Sequence, residues 1–286
     1  MNIIETNIKR RVSAVNLLQK VIFIMDISNS PIAFCTVVSQ QLHCLCPRSQ
    51  KMLAIELCRA DIEYVGVRIK CRGNIGGNMQ PMKANPVRVL GISGSPRSMA
   101  TEFLVREALR IVSEKYNAET EYFSAHGKKL EFCIHCDFCV RTKEGCVHKD
   151  DISAELYPKM TWADAWIIGT PVYQGTISAQ IKTIMDRCRA VVARDRKALL
   201  NKVGMGIANG GDRAGGQEPA IHAILGFYII NEMIPVGGGA FGANSGAAFW
   251  SKDKGAEGVS EDLEGMKSLR KTLARLVETA QKLKEY

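Results

Sequence analysis

Apolar and polar positions follow a regular order from residue 87 onward, and each block has the period of either a strand or a helix. Short apolar runs predict buried strands at 87–93, 120–123, 165–169, 203–208 and, in a glycine-rich form, 236–241. Apolar residues spaced three and four apart predict helices at 101–113, 150–160, 178–192, 219–232 and 262–284. Strands and helices therefore alternate along this part of the chain.

This alternation predicts an α/β fold, because a strand, a crossover helix and a parallel strand form a right-handed unit that covers both faces of a sheet. Five such strands fit the order 2-1-3-4-5, which is that of a flavodoxin-like, doubly wound parallel sheet. In that order a mononucleotide binds where the first and third strands diverge. We therefore expect ligand-binding loops at the carboxyl ends of the strands.

The first 81 residues have a different character. They show no sustained period of 2 or 3.6, and the segment 72–81 is rich in Gly and Asn and ends in Pro. From Met82 the sequence MKANPVRVLGISGSPR is typical of a natural protein start. We expect residues 1–81 to be an extension, poorly ordered or upstream of the natural start. Residues 82–286 would form the α/β domain, with a cysteine-rich loop at 130–150 after strand two.

Composition narrows the classes of function. The chain has 286 residues, 46% of them hydrophobic, and a formal net charge of +9. Ten Lys and Arg and five Asp and Glu lie before Met82, and no basic run follows it, which argues against a nucleic-acid-binding protein. The N-terminus lacks the pattern of a signal peptide or a bilayer span. We expect a cytoplasmic protein with reduced thiols.

The loop after the first predicted strand has the chemistry of a phosphate site. Glycines let the backbone approach an anion, and the following helix N-terminus presents free N–H groups. The loop lacks the Lys-Ser/Thr ending of a nucleoside-triphosphatase loop and the G-x-G-x-x-G of a dinucleotide fold, so a monophosphate such as that of FMN fits it better. The alternative is a plain strand-to-helix turn. The candidate contacts are Ser93, Ser95, Arg97, Ser98 and Thr101.

Two more loops follow strands three and four, on the other side of the predicted divergence point. The segment 169–175 (GTPVYQG) offers backbone N–H groups and an aromatic side chain, and the segment 209–218 is rich in glycine. Merely flexible turns are the alternative for both. The candidate contacts to a flat ring are Thr170, Pro171, Val172, Tyr173 and Gly175, with Gly210, Gly211 and Arg213 nearby.

Four closely spaced cysteines give the sharpest signal. Cys133, Cys136, Cys139 and Cys146 form the pattern C-x2-C-x2-C-x6-C, and spacings of two wrap a chain around an iron–sulfur cluster. Zinc sites more often use two separated cysteine pairs, but zinc remains the competing metal. We assign no role to the remaining cysteines, which are Cys35, Cys44, Cys46, Cys58, Cys71 and Cys188.

The order of SGSPR, the cysteine run, TPVYQG, S-A-x-x-K-x-x-x-D-R and GGDRAGGQE resembles the iron–sulfur flavoproteins of anaerobic archaea and bacteria. These belong to a wider group of NADPH-dependent FMN reductases. The resemblance implies FMN on the three loops, a [4Fe–4S] cluster on the four cysteines, and a homodimer or homotetramer. One departure is that residues 98–101 lack the Gly-Asn pair common in that family.

The expected function is that of an electron-transfer oxidoreductase. Electrons would pass from a carrier such as ferredoxin through the cluster and FMN to an acceptor, and outer-sphere transfer requires no acid or base residue. One alternative is an NAD(P)H-dependent FMN or quinone reductase whose cysteines bind zinc or have no role. A redox sensor that responds to cluster loss is the other.

Overall fold

The structure is a computed structural model that describes residues 85–285 and, before them, the backbone of five short strands. Three of these, β1 (Lys20–Ile24), β2 (Ala33–Val38) and β3 (Gln41–Leu45), pair in antiparallel order. The other two, β4 (Ile62–Tyr64) and β5 (Val67–Ile69), form an antiparallel pair. They belong to a compact unit that ends at Met82. The rest of the predicted extension lies outside the described residues, and its nature stays a prediction.

The second compact unit contains the predicted parallel sheet. Its strands are β6 (Arg88–Ser93), β7 (Glu119–Ser124), β8 (Ala165–Pro171) and β9 (Val203–Gly210). They lie side by side in the order β7-β6-β8-β9, all parallel. With the fifth position beyond β9, this is the predicted order 2-1-3-4-5. The apolar runs of β6, β8 and β9 are buried because helices cover both of their faces.

The fifth position of the sheet is shared by two short strands. β10 (Ile234–Pro235) pairs with the start of β9, and β11 (Ala247–Trp250) pairs with its end. The prediction of one strand at 236–241 is therefore wrong. The chain leaves the sheet there and folds back, because glycines allow the approach: Gly239 has a φ of +81°, and a side chain at Gly237 would overlap the Asn244 carbonyl.

Eight helices are described in the second unit. In chain order they are α1 (Ala100–Tyr116), α2 (Phe138–Thr142), α3 (Tyr157–Trp162), α4 (Ala179–Arg187), α5 (Arg189–Arg194), α6 (Gln217–Ile230), α7 (Gly255–Ser260) and α8 (Leu263–Lys284). The helices α1, α7 and α8 cover one face of the sheet, and α3, α4, α5 and α6 cover the other. None of the helices within 85–285 has the length and apolar character that crossing a bilayer requires.

The helices begin close to their predicted starts, with two interruptions. Ser178 caps α4 and Asp262 caps α8, each by accepting a hydrogen bond from a backbone N–H three residues on. The predicted helix 178–192 is divided at Cys188, and the predicted helix 150–160 opens with a π-helical turn at Ile152–Leu156. The parallel arrangement brings the carboxyl ends of β6, β8 and β9 to one edge of the sheet, where the predicted binding loops lie.

Candidate cofactor sites

The loop between β6 and α1 is held in place by hydrogen bonds between its backbone and two neighbours, the backbone of β8 and the side chain that caps α4. The amide of Gly94 donates to the carbonyl of Gly169 at 2.8 Å, and Ser178 Oγ donates to the carbonyl of Gly94 at 2.7 Å. A side chain at Gly94 would overlap Ile181. Glycine is therefore required here for close packing, which fixes the loop before any ligand binds.

The polar side chains of this loop differ in how they are used. Ser95 Oγ donates to the carbonyl of Arg97 and accepts from its amide, so it closes the turn upon itself. Arg97 and Ser98 are exposed, whereas Thr101 is buried in the first turn of α1. Ser93 Oγ is buried with no hydrogen-bond partner among the described residues. The turn geometry and exposed cation are compatible with phosphate, and Ser93 has an unused hydroxyl.

A carboxylate also lies at this helix N-terminus. Glu102 occupies the first turn of α1, and Arg106 Nε donates to it at 2.9 Å. Burial tends to raise the pKa of the Glu102 carboxyl, but the hydrogen bonds from Arg106 and Ser98 outweigh it and the pKa is lowered. The negative charge of Glu102 is thus compensated locally, and the helix N-terminus remains suited to an anion.

The loop after β8 forms a tight turn that is bonded to itself and to β9. Tyr173 and Thr176 exchange backbone hydrogen bonds of 3.0 and 3.2 Å, and Gln174 and Gly175 between them have positive φ. The ring of Tyr173 is partly exposed at the sheet edge. Thr170 Oγ1 donates to the carbonyl of Pro171 and accepts from the amide of Ser178. The Thr170 hydroxyl is thus committed to the fold, and its role as a cofactor contact stays a prediction.

The loop after β9 meets the loop after β8. Val172 donates to the carbonyl of Asn209 at 2.8 Å, and a side chain at Gly216 would lie 2.5 Å from the carbonyl of Gly175. Asn209 Oδ1 is buried without a hydrogen-bond partner among the described residues. Buried polar atoms are nearly always bonded, so the free oxygen at this edge fits a site that a ligand completes.

The glycines of the third loop are fixed by aromatic and amide side chains from later in the chain. Trp250 Nε1 donates to the carbonyl of Gly211 at 2.8 Å, and Ser251 donates to that of Gly210. Gln217 Nε2 donates to the carbonyls of Asp212 and Phe249. Arg213 is exposed. Gly210 and Gly211 thus lie at the predicted edge, while the role of Arg213 stays a prediction.

The cysteine segment follows β7 and winds tightly. Its positive φ angles lie between successive cysteines, at His135, Asp137, Lys143 and Gly145. All four cysteines are free; Cys136 is exposed and the other three are half-buried. Within 85–285, no group of three or more Cys, His, Asp or Glu side chains has the arrangement of a metal site. The metal prediction therefore rests on the chemistry of four thiols in one short segment, which fits an iron–sulfur cluster.

The guanidinium of Arg189 lies near these thiols. Burial raises the pKa of the Cys139 thiol, the charge of Arg189 acts against that shift, and Cys146 adds to it. Arg189 Nη2 also lies 2.6 Å from Asp137 Oδ1, inside the cysteine segment. A cluster held by four thiolates carries negative charge, so a guanidinium at this position is favourable for it.

Comparison with known proteins identifies the family. Residues 87–248 match the model of the NADPH-dependent FMN reductases. An iron–sulfur flavoprotein of Methanocaldococcus jannaschii is 59% identical over 192 residues, which cover 67% of this chain and 96% of that protein. One of Archaeoglobus fulgidus is 55% identical over 68% of this chain and 98% of its own length. The chain belongs to the iron–sulfur flavoprotein family. The resemblance drawn from its motifs is confirmed.

A solved structure agrees with the fold. The chain superposes on RosB, whose crystal structure holds 8-demethyl-8-formylriboflavin-5'-phosphate, with a TM-score of 0.55 and 20% sequence identity. The match covers 70% of this chain and 81% of RosB. At this identity the likeness concerns the fold alone. Because the chain is a member of the FMN reductase group, this iron–sulfur flavoprotein is an FMN-dependent oxidoreductase, as its sequence predicted.

Sequence motifs alone do not indicate which residues hold the three loops together. Ser178 was expected only as a helix start, yet its hydroxyl also holds the first loop. Asn209 is the second-last residue of β9, at the carboxyl end of the strand, where polar residues at a sheet edge are candidates for ligand contacts. Gln217 lies within the GGDRAGGQE motif and Trp250 lies outside all the motifs, and no local signal indicates the partners of either residue.

Proposed function

We propose that this iron–sulfur flavoprotein transfers electrons between a one-electron carrier and an acceptor, with FMN on its three sheet-edge loops and a [4Fe–4S] cluster on Cys133, Cys136, Cys139 and Cys146. The observation that carries the proposal is that the three sheet-edge loops and the four cysteines lie in one compact unit. Family membership supports both cofactors, because the related proteins are named as iron–sulfur flavoproteins.

The protein's part is to bind and orient. The first loop would hold the phosphate of FMN through its backbone amides, Ser93 and Arg97. The turn at 171–175 would meet the edge of the ring, with Tyr173 beside it. The cluster supplies one-electron chemistry from a carrier such as ferredoxin, and FMN supplies two-electron chemistry toward the acceptor. Outer-sphere electron transfer needs no acid or base residue, and we assign none.

The exposed apolar side chains of the cysteine segment support a homodimer or homotetramer. They are spread through the segment and belong to Phe132, Ile134, Val140 and Val147. Exposed apolar groups around a metal site indicate a surface that another chain covers. Burial of this surface against a second copy would also shield the cluster from water.

Cofactor analysis tests the proposal. Protein purified without oxygen is expected to show flavin absorbance, FMN on extraction and about four irons per chain. Protein that contains neither flavin nor iron would overturn the proposal. Serine in place of Cys136 is expected to remove the iron and leave the flavin, while alanine in place of Cys188, a buried core cysteine, leaves both.

The second candidate is an NAD(P)H-dependent FMN or quinone reductase without a functional cluster, which the description of the matched family favours. Rapid bleaching of the flavin by NADPH in iron-free or zinc-containing protein would support it. The same bleaching only in iron-loaded protein would exclude it.

A further inference from the structure

The two ends of the cysteine segment are bonded to each other. Residues 129–131 enter the segment and residues 150–153 leave it; we call these two stretches the neck. The amide of Lys129 donates to Asp151 Oδ2 at 2.6 Å, and the amide of Glu131 donates to Asp150 Oδ2 at 2.9 Å. The neck thus closes a loop that contains all four cysteines.

One side chain from α4 bonds to both ends of this neck. Arg187 Nη1 donates to the carbonyl of Glu131 at 2.5 Å and to Asp150 Oδ2 at 2.8 Å. Its Nη2 donates to Asp150 Oδ1 at 2.9 Å and to Ser153 Oγ at 3.0 Å. Its Nε donates to Tyr157 Oη at 3.3 Å. A guanidinium has five N–H donors, and each of these has an acceptor: four acceptors lie in the neck, and the fifth is Tyr157 at the start of α3.

The ion pair of Arg187 and Asp150 is buried. The side chains of Arg187 and Asp150 are each 1% exposed. Burying two charges is costly, and apolar residues of similar volume often stabilise a fold as well or better. An ion pair kept at such a position therefore points to a requirement for geometry. Because Arg187 bonds to both ends of the cysteine segment, it fixes where that segment lies relative to α4.

The other end of α4 holds the candidate FMN loops. Its cap, Ser178, bonds to Gly94 in the first loop and to Thr170 in the second. The helix has nine residues, Ala179–Arg187, and so spans about 13 Å between its two ends. One rigid element thus joins the loops for one cofactor to the neck of the segment for the other.

We infer that Arg187 is a positioning residue for the iron–sulfur cluster: with Asp150 it clamps both ends of the cysteine segment to α4 and so presents the four thiols at a fixed place relative to the FMN loops. The inference rests on the proposed function. It assigns Arg187 no contact with either cofactor.

The test compares variants of the full chain. Arg187→Met with Asp150→Asn removes both charges and leaves an acceptor for the Glu131 amide, so no unpaired buried charge remains. Arg187→Lys keeps the charge without the five-donor fork. Arg110→Met is the matched control, because it removes an exposed arginine that bonds to two glutamates on α1. Each protein is reconstituted with iron and sulfide without oxygen.

The readouts are iron per chain, the electron paramagnetic resonance of the reduced cluster, the Kd for FMN, and amide hydrogen exchange in cluster-free protein. The double variant is expected to lose about tenfold in cluster loading, as for residues that orient metal ligands, with its FMN affinity unchanged. The amides of Glu131 and Ser153 should exchange faster. Arg187→Lys should bind less than half of the iron that the wild type binds, and Arg110→Met should match the wild type.

Equal iron and an unchanged resonance signal in the double variant would overturn the inference. If the double variant loses FMN and iron to the same extent and melts at a lower temperature, the inference would also be overturned. That result is expected of an ion pair that is needed only for folding. A wild-type iron content in Arg187→Lys would show that the five-donor fork is not required, which would contradict the inference. Wild-type protein that takes up FMN but no iron would instead overturn the proposed function.

Discussion

Ser178 Oγ donates a hydrogen bond of 2.7 Å to the carbonyl of Gly94 and accepts one of 3.3 Å from the amide of Ile181. One buried hydroxyl therefore caps α4 and holds the candidate phosphate loop at the same time. The amide of Gly94 donates a second hydrogen bond, to the carbonyl of Gly169 in β8. β8 and the cap of α4 therefore both fix the loop before FMN binds.

Ser178→Ala should weaken both the fold and FMN binding. Loss of the cap is expected to cost about 1 kcal/mol of unfolding free energy. The Kd for FMN should rise about fivefold, since the released Gly94 carbonyl no longer fixes the loop and about 1 kcal/mol of preorganisation is lost. Denaturant unfolding and quenching of flavin fluorescence measure the two effects. Ser260→Ala, which removes an exposed serine–backbone bond, is the control and should leave FMN affinity unchanged.

Gly94→Ala should abolish FMN binding. The new methyl group would overlap the fully buried side chain of Ile181, so the closely packed core would have to shift to accept it. Gly226→Ala is the opposite case, because nothing lies within 4 Å of the added atom and the residue is inside α6. That control should gain about 0.5–1 kcal/mol of stability and bind FMN as before. Normal FMN affinity in Gly94→Ala would show that the loop does not form the site.

Acid should weaken the Arg187–Asp150 pair. Burial tends to raise the pKa of the Asp150 carboxyl, but bonds from Arg187, Glu131 and Ser153 lower it to about 2 from its ordinary 3.8. A lowered pKa means that the ionised form is stabilised by folding, so this contribution is complete above pH 4 and is lost as the pH falls toward 2.

The Arg187→Met, Asp150→Asn double variant lacks that contribution. Urea midpoints measured from pH 5 to pH 2 on cluster-free protein should therefore fall less steeply than in the wild type. Asp164, whose pKa is also about 2, titrates in both proteins and cancels from the difference. Parallel curves for the two proteins would contradict the pKa shift of Asp150.

Residues that act through their neighbours in sequence could be predicted. The first four strands, the sheet order and the family follow from periodicity and motifs, because the alternation of strands and helices and the motif residues are visible in the local sequence. The family comparison confirms the last of these. The cofactor contacts assigned to single residues stay predictions.

What could not be predicted depends on contacts between distant segments. Pairing of Arg187 with Asp150 spans 37 positions, and pairing of Ser178 with Gly94 spans 84. The fifth strand was predicted at 236–241 since glycine and valine there form an apolar run. β10 and β11 take the fifth position instead; Ala247 and Phe249 of β11 are buried, and the loop between the two strands has the glycines that turn it.

The measurement that tests the central claim most directly is anaerobic stopped-flow reduction of the FMN by a reduced ferredoxin-type carrier. Wild-type protein and Cys136→Ser are compared after both are shown to hold FMN. If electrons enter through the cluster, flavin reduction should be about a hundredfold slower in the variant, which corresponds to about 2.7 kcal/mol in the barrier. Equal rates in the two proteins would contradict the account, because the flavin would then be reduced without the four cysteines.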